Sequence, residues 1–496
     1  MSQDYLHLNA RDNVAVALRE LAAGATLAGV TLKSSIPNGH KFALVDVAQG
    51  QPVLKYGQVI GQATHPIAAG DHVHSHNLGM AEMRAGDTSE RGHLPEPPAR
   101  RTFDGYLRPN GKVGTRNFIG ILASVNCSTT VCNAIAAAAN RELLPRFPGI
   151  DGFTAIIHDQ GCGMANRGEG FEALVRTLKG YRDHPNFGGV LIVGLGCEVN
   201  QLTLYKPDGW TRERFATFNI QEVGGSSSAV KRAVEILTPI AEAANQDKRT
   251  EVPVSGLVLG MQCGGSDGYS GITANPALGV ASDMLVAAGG TSILSETPEI
   301  YGAEHLLIQR ADPQTGQQIR DMIDWWRSYA ARSGAELDNN PSPGNKRGGL
   351  TTILEKSLGA VAKGGSAPLT AAYAYSQPVD KTGFVYMDSP GYDPVAATGQ
   401  IASGANLIAF TTGRGSCFGS KPAPSIKLAS NSALYASMTE DMDINCGPVV
   451  DGVSLTEMGA QIYDLLLDTA SGKQTKSEIF GYGDNEFVPW KIGATL

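Results

Sequence analysis

The sequence has little of what marks a secreted, membrane-bound or nucleic-acid-binding protein. Its 496 residues include only seven cysteines, an odd number, so we do not expect a disulfide framework. No apolar run reaches the about 18 residues of a membrane span, and the first residues form no hydrophobic signal core. A net charge of -8 gives no basic footprint for nucleic acid. We therefore expect a cytoplasmic protein without membrane or nucleic-acid partners.

Histidine is also scarce, yet three of the ten histidines fall within five residues. If residues 72–77 form a β-strand, His72, His74 and His76 line one of its faces, because successive side chains on a strand point to opposite sides. Imidazole is a common transition-metal ligand near neutral pH. The pattern predicts a metal site, with a solvated strand edge as the alternative. His40, at the start of an earlier apolar run, faces either a ligand or solvent.

The pattern of apolar runs divides this chain, which is too long for one core, into three parts. Residues 1–98 contain short strand-like runs between turn signals, with a short helix predicted over residues 13–21. A proline-rich linker is predicted over residues 90–101. In residues 99–248 and 249–496, apolar strands alternate with helices, which indicates parallel sheets covered on both faces. We predict an α/β protein with a small N-terminal β domain and two Rossmann-like domains.

Cationic residues lie in three loops that suit an anion. Lys346 comes shortly before a helix predicted to begin near residue 350, where free backbone N–H groups add to the positive charge. Arg414 lies between two glycines, and Arg116 precedes Asn117 in a glycine-containing loop. For each residue alone, a surface salt bridge is the alternative. Together they favour an acidic small molecule as the ligand.

Several cysteines follow strand-like runs, and they allow two interpretations. Cys162, Cys197 and Cys263 have glycine neighbours, and Cys127 follows another apolar run. They are ligands of an iron–sulfur cluster, or small residues that fit tight turns near a polar pocket. Cluster motifs usually contain a short Cys-x-x-Cys element, which is absent, so a cluster is the less favoured interpretation. Val199 stands where a dinucleotide fingerprint requires its third glycine, so a nicotinamide cofactor is not expected.

The histidine strand, the cationic loops and the acidic strand ends together suit metal-assisted chemistry on a hydroxy acid. A metal that binds the carboxylate and the α-hydroxyl group would acidify the C2 proton. A base would then remove that proton while an acid helps the C3 hydroxyl group to leave.

The sequence resembles the altronate/galactarate dehydratase family over almost its full length. The resemblance rests on His72, His74 and His76, and on residues 39–41, 105–106, 111–117, 194–198, 261–267, 340–349, 411–415 and 441–445. It implies an N-terminal SAF-type β-clip domain and a dehydratase that requires Fe(II) or Mn(II). The His-x-His-x-His-Asn pattern is similar to altronate-type members, which implies conversion of D-altronate to 2-dehydro-3-deoxy-D-gluconate in hexuronate catabolism. Galactarate dehydration, sulfolactate lysis and a non-enzymatic sugar-acid binding module are the alternatives.

With this resemblance, the sequence assigns roles to eleven residues. We expect the metal ligands to be His72, His74 and His76. We expect acid, base or pocket-lining roles for His40, Cys263, Asp267 and Glu296. We expect the substrate to be held by Arg116, Asn117, Lys346 and Arg414. The site should lie where the β domain meets the α/β domains, in a homo-oligomer such as a dimer.

Overall fold

A computed structural model describes residues 3–81, 92–206 and 213–493. Its elements follow the predicted order, with a small β part first and two α/β parts after it. The predicted linker begins at residues 90 and 91, which lie outside the described residues. Its described portion, residues 92–101, contains neither helix nor strand. Among the described residues, no helix combines the length and apolar character needed to cross a membrane.

The N-terminal part consists of short antiparallel strands. They form a four-stranded sheet in the order β1-β2-β5-β8, a three-stranded sheet in the order β6-β7-β9, and the hairpin β3-β4. The strands are β1 Tyr5–Leu6, β2 Val14–Ala17, β3 Thr26–Leu27, β4 Val30–Thr31, β5 Lys41–Ala43, β6 Pro52–Lys55, β7 Gln58–Ala63, β8 His72–Val73 and β9 Leu78–Gly79.

Two local predictions for this part are wrong. Residues 14–17 form strand β2 instead of a helix, because β-branched Val14 and Val16 suit a pleated strand and β2 pairs with both β1 and β5. The histidine strand ends at Val73, and residues 75–77 form a turn. The Asn77 side chain closes that turn, accepting from the backbone N–H of His74 and donating to the carbonyl of His72.

The middle part is built on a four-stranded parallel sheet in the order β13-β12-β14-β15, confirming the predicted strand and helix alternation. A separate antiparallel sheet, β11-β10-β16, brings together the chain on both sides of this part. The strands are β10 Thr102–Leu107, β11 Val113–Gly114, β12 Phe118–Ala123, β13 Gly152–Ile156, β14 Phe187–Gly194, β15 Phe215–Asn219 and β16 Thr250–Pro253; the helices are α1 Thr129–Glu142, α2 Glu169–Arg182 and α3 Ser226–Asn245.

The C-terminal part contains a seven-stranded parallel sheet in the order β19-β20-β18-β17-β21-β22-β23. The strands are β17 Val258–Cys263, β18 Thr291–Leu294, β19 Leu369–Tyr373, β20 Gly383–Met387, β21 Leu407–Thr412, β22 Ser425–Ala429 and β23 Ile444–Asn445. The helices are α4 Ala274–Ala287, α5 His305–Ile308, α6 Pro313–Arg332, α7 Pro343–Arg347, α8 Ile353–Ala362, α9 Asp393–Ala402, α10 Ser432–Ser437, α11 Leu455–Ala470 and α12 Lys476–Ile479. Helix α6 begins after Asp312, whose side chain accepts hydrogen bonds from the backbone N–H groups of Gln314 and Thr315.

Both faces of the parallel sheets are covered, as the continuous apolar strands predicted. Neighbouring residues of strand β21 belong to different cores. Leu407 belongs to the core that contains residues of helices α4, α8 and α11, whereas Ile408 belongs to the core that contains residues of α2 and α9. Helices α2 and α9 therefore lie between the two sheets, in a core that both α/β parts share. Helices α1 and α3 cover the other face of the four-stranded sheet.

A buried group of charges joins the N-terminal part to the C-terminal part. Lys41 of β5 and Lys55 of β6 both donate to the carboxylate of Glu355 on α8, and Lys41 also donates to the carbonyl of Gly349 at 2.7 Å. Burial lowers the pKa of Lys41 to about 8 despite the neighbouring carboxylate. The lysine remains mostly protonated at pH 7, and the ion pair is intact there.

Candidate active site

Three potential ligand atoms meet where two neighbouring parallel strands end. Cys263 is the last residue of β17, and Glu296 and Glu299 follow β18. The strands lie side by side, with Met261 opposite Leu294, so the residues after them are delivered to one edge of the sheet. Glu296 has a φ of 73°, a conformation that L-residues rarely adopt and that is enriched at functional sites.

The three side chains are buried and close together. The Cys263 Sγ atom lies 3.9 Å from Oε2 of Glu296 and 3.7 Å from Oε2 of Glu299. Burial, and then the charge of Glu299, raises the pKa of Glu296 well above its usual value. Burial also raises the pKa of the Cys263 thiol to about 12. Burial therefore favours the protonated forms of Glu296 and Cys263.

Two buried lysines supply the positive charge that this cluster needs. The Nζ atom of Lys356 on α8 lies 2.6 Å from Oε1 of Glu299, and that of Lys363 lies 3.4 Å from Oε2 of Glu296. Burial alone would lower the pKa of Lys356, but the carboxylate of Glu299 outweighs burial and the net shift is upward. Each glutamate is thus paired with its own lysine, which offsets the cost of burying the charges.

A cavity of about 300 Å³ opens onto this cluster. Its wall includes Cys263, Glu299, Lys356 and the carboxylate of Asp393, whose pKa is raised to about 7 by burial and by Glu299. Asn340 also lines the cavity and donates to Oε1 of Glu299 at 2.8 Å. The cavity thus combines acids, one ammonium group and amides, which are the groups that recognise and transform a polyhydroxylated acid.

A larger cavity, of about 700 Å³, lies between the two α/β parts. Several of its wall residues have structural partners: the ring nitrogens of His184 contact Ala405 and Asn186, and Arg182 pairs with Asp183. The contact of His184 with Ala405 joins the two parts to each other. The smaller cavity is therefore the better candidate for catalysis.

Comparison with protein families covers nearly all of the chain. Residues 254–495 match the model described as D-galactarate/altronate dehydratase, C-terminal, and residues 105–245 match the second domain of D-galactarate dehydratase/altronate hydrolase. Residues 3–81 match the altronate/galactarate dehydratase SAF domain, which confirms the predicted type of N-terminal domain. The chain belongs to the altronate/galactarate dehydratase family.

Relatives within this dehydratase family are similar along their whole length. The altronate dehydratase of Bacillus subtilis is 34% identical, with 100% of both chains covered, and that of Escherichia coli is 35% identical, with 99% of this chain and 100% of the relative covered. The galactarate dehydratase (L-threo-forming) of Escherichia coli is 36% identical over 95% of this chain and 93% of its own. Identity alone does not separate the two activities.

The donor set at the cavity fits the divalent metal expected for the family. One atom each from Cys263, Glu296 and Glu299 lies within 4.8 Å of the others. Oε1 of Glu296 is buried and has no hydrogen-bond partner among the described residues, so a ligand position is left over. A thiol with two carboxylates suits a first-row transition metal that accepts both sulfur and oxygen.

The structure also brings together the histidines of the predicted metal site, with His40 among them. The ring centroids of His74 and His76 each lie 5.5 Å from that of His72, and Nε2 of His72 lies 3.0 Å from Nδ1 of His40. Other protein atoms already occupy ring nitrogens: Nε2 of His74 contacts the carbonyl of Lys346, and Nε2 of His40 that of Arg347. Their role as metal ligands stays a prediction, and their present contacts hold helix α7 against the N-terminal part.

Arg116 and Asn117 lie away from the cavity, at contacts between chain segments. The Arg116 guanidinium forms an ion pair with Glu478 and donates to the carbonyls of Thr115, Thr469 and Lys473, which uses all five of its N–H groups. The Asn117 side chain bonds to Gly149, Ala244 and Arg108. The structure gives both residues a packing role and no free group for a substrate.

Asp267, Lys346 and Arg414 are neighbours, in the chain or in space, of residues that line the cavity, such as Gly265 and Asn345. Asp267 accepts hydrogen bonds from neighbours that include Ser270, Ser430 and Asn431, so it fixes the loop after β17. The helix predicted near residue 350 is α8, which begins at Ile353, so Lys346 does precede a helix. Lys346 itself lies in the last turn of the short helix α7, which the sequence did not predict. Arg414 is exposed and lies beside Gly265 of the cavity wall. A Cβ atom added to Gly265 would be 3.6 Å from the Cβ atom of Arg414.

Sequence reasoning missed Glu299, Lys356, Lys363 and Asp393. Lys356 offered a signal, because a lysine within the apolar segment of residues 353–362 must be exposed or paired. Glu299 lies only three residues after Glu296, which was predicted. Asp393 offered no such signal. Its carboxylate fits beside Gly264 because that residue has no side chain; a Cβ atom there would collide with the carboxylate.

Proposed function

We propose that the protein is a sugar-acid dehydratase that converts D-altronate to 2-dehydro-3-deoxy-D-gluconate. The observation that carries the proposal is the buried cluster of Cys263, Glu296 and Glu299 with its two lysines, at strand ends beside a cavity. The chain aligns with 100% of the length of both altronate dehydratases and with 93% of the length of the galactarate dehydratase, which favours D-altronate as the substrate.

In this proposal the cationic groups hold the substrate carboxylate. Arg414 stands at the edge of the cavity, next to Gly265, and its exposed guanidinium suits bidentate pairing with a carboxylate. A Cβ atom on Gly344 would lie 3.9 Å from both Nε of Arg414 and Nη2 of Arg347, so two guanidinium groups flank that position. The amides of Asn340 and Asn345 line the cavity and suit the sugar hydroxyl groups.

The acids and lysines of the cluster provide proton transfer. A carboxylate of the cluster removes the C2 proton of the bound acid, and a protonated group on the opposite side gives its proton to the departing C3 hydroxyl group. Asp393 and Lys356 both line the cavity, so each can reach a bound substrate. Lys363, fully buried beside Glu296, orients that carboxylate and balances its charge.

The metal required in this proposal is Fe(II) or Mn(II), held by Cys263, Glu296 and Glu299. When bound, it supplies Lewis-acid polarisation of the substrate carboxylate and hydroxyl oxygens. The carboxylates of Glu299 and Glu296 would then be shared between the metal and their lysine partners, Lys356 and Lys363.

A substrate panel tests the proposal. Metal-free protein is incubated with D-altronate, galactarate or sulfolactate and with Fe(II), Mn(II) or Mg(II), and formation of a 2-keto-3-deoxy acid or of sulfite is measured. We expect product from D-altronate only after Fe(II) or Mn(II) is restored. Turnover of galactarate alone would keep the dehydratase and overturn the substrate, and release of sulfite would replace the reaction. Sugar-acid binding without any product would show a binding module instead.

A further inference from the structure

Three cysteines that the proposed function does not use stand at the carboxyl end of the four-stranded parallel sheet. Cys127 follows β12, Cys162 follows β13 and Cys197 follows β14. Strand β12 lies between β13 and β14, and neighbouring strands are about 4.8 Å apart, so the three strand ends lie within about 10 Å. Three loops therefore bring a thiol each to the same edge.

All three cysteines are exposed, whereas Cys132, Cys263 and Cys446 are buried. A free cysteine is normally among the most buried residues, because it behaves as a small apolar side chain. Thiols displayed together at a sheet edge are chemically available, and packing does not account for them.

Buried polar residues hold the three loops in place. Glu198, next to Cys197, accepts from the hydroxyl of Ser124 at 2.6 Å, which ties the loop after β14 to the one after β12. The backbone N–H of Asn126, next to Cys127, donates to the carbonyl of Gln160 at 2.9 Å. The backbone N–H of Asn200 donates to the carbonyl of Gly161, next to Cys162, at 3.1 Å. Every pair of the three loops is thus bonded directly.

Glycines allow the loops to approach so closely. Gly161 has a φ of 98°, and a Cβ atom there would collide with the carbonyl of Ser124. Gly163 and Gly196, beside Cys162 and Cys197, also have positive φ angles, of 63° and 131°. A larger residue at position 161 would separate the loops that carry Cys127 and Cys162.

We propose that Cys127, Cys162 and Cys197 hold an iron–sulfur cluster at this edge of the sheet. The absence of a short Cys-x-x-Cys element argued against a cluster, but that argument does not apply when three separate loops supply the ligands. Among the described residues, the donor atoms that converge within 4.8 Å are those of Cys263, Glu296 and Glu299, so the three thiols are spaced more widely than ligands of one ion. A polynuclear cluster spans the wider gap.

The chemistry of the site follows from the number of ligands. Each thiol loses its proton when it binds iron as a thiolate. Three thiolates complete the coordination of three irons of a [4Fe–4S] cluster, and one iron keeps an open position facing solvent. The oxygen of a small hydroxy acid or of water would fill that position. This inference is independent of the proposed function, whose metal ligands lie on the other parallel sheet.

Reconstitution of the full-length protein without oxygen tests the proposal. The protein is incubated with Fe(III), excess dithiothreitol and sulfide, so that the thiol supplies the electrons that bring four Fe(III) ions to two Fe(II) and two Fe(III). It is then desalted, and its iron, acid-labile sulfide and visible absorbance are measured. We expect about four iron and four sulfide per chain and a broad charge-transfer band. Cys127→Ser, Cys162→Ser and Cys197→Ser should each lose most of both, whereas Cys417→Ser, which changes another exposed cysteine, should not.

Other outcomes overturn the cluster. They are wild-type protein without stoichiometric iron and sulfide, equal loss in Cys417→Ser, and uptake of zinc by the three thiols with no retention of sulfide. Circular dichroism confirms that each variant is folded, and a Gly161→Ala variant gives a second measure, since separating the loops should also lower cluster content. Glu296→Gln should keep the cluster, which separates this result from failure of the proposed dehydratase site.

Discussion

The Nζ atom of Lys41 lies 2.9 Å from Oε2 of Glu355, inside the protein and between strand β5 and helix α8. Lys55 approaches the other carboxylate oxygen, Oε1, at the same distance, and the three side chains are at most 1% exposed. One carboxylate therefore fastens two strands of the N-terminal part to the helix that also carries Lys356 of the candidate site.

Glu355→Gln should destabilise the protein strongly, because it leaves two buried ammonium groups without their carboxylate. We expect the free energy of unfolding to fall by about 3–5 kcal/mol at pH 7, as measured by urea denaturation. Glu235→Gln is the matched control, since Glu235 forms an exposed pair with Arg232, and it should change stability by less than about 1 kcal/mol. Equal effects of the two substitutions would contradict the buried role.

The same carboxylate should make stability depend on pH in the acid range. Burial alone would raise the pKa of Glu355, but Lys41 and Lys55 outweigh burial and hold that pKa far below its ordinary value of 4.5. As the pH falls below about 5, the unfolded chain takes up a proton that the folded protein refuses, so stability decreases. Urea midpoints between pH 7 and pH 3.5 should fall for the wild type and fall less for Glu355→Gln. Parallel curves would show that Glu355 is not the cause.

The pair formed by Lys356 and Glu299 should show strong coupling. Lys356→Met leaves a buried carboxylate without its ammonium group and should lower the free energy of unfolding of metal-free protein by about 3–5 kcal/mol. In the double variant with Glu299→Gln the unpaired charge disappears, so the loss should be well below the sum of the single losses. A double-mutant cycle by chemical denaturation measures this. Additive losses would mean that the two groups do not interact.

Arg414 and Arg116 should respond in opposite ways to the same substitution. Arg414→Met removes an exposed guanidinium beside the cavity, and we expect KM for the sugar acid to rise about 10- to 100-fold while stability stays near that of the wild type. Arg116→Met removes a buried structural group and should lower the unfolding midpoint while KM of the folded fraction is unchanged. Steady-state kinetics with thermal denaturation separates the two, and the reverse pattern would restore Arg116 as the substrate ligand.

Metal binding distinguishes the cavity from the histidine cluster. We expect Glu296→Gln to lose the tightest Fe(II) or Mn(II) site, because it removes a donor from the converging group, whereas His74→Ala should retain that site. Calorimetric titration of metal-free protein gives the number of sites and their affinities. If His74→Ala loses the site and Glu296→Gln keeps it, the metal belongs to His72, His74 and His76.

Elements governed by local pattern were predictable from the sequence. The bounds of helix α6 coincide with start and stop signals in the sequence, because Asp312 caps its first turn, Pro313 is its first residue and Gly334 follows its end. The parallel sheets follow from strands that are apolar throughout, such as residues 187–194. The helix predicted for residues 13–21 failed because two pairing partners, β1 and β5, decide the conformation of residues 14–17.

The candidate site was predictable in part, for a similar reason. Cys263 and Glu296 stand at strand ends, which the sequence indicates directly. Lys356 and Lys363 come from a helix about 60 to 100 residues further along the chain, and only the packing of α8 against the sheet brings them to the carboxylates. The proximity of the three histidines was expected from an alternating strand pattern. In the structure it comes instead from a turn that the Asn77 side chain closes.

The rate of D-altronate dehydration by Glu296→Gln, compared with wild type and with Glu235→Gln, tests the central claim most directly. The substitution keeps the shape of the side chain and removes both a proton-transfer group and a metal donor. We expect kcat to fall at least about 100-fold in folded, metal-supplemented protein, with Glu235→Gln unchanged. A Glu296→Gln enzyme that turns over within about twofold of wild type would place the reaction elsewhere in the molecule.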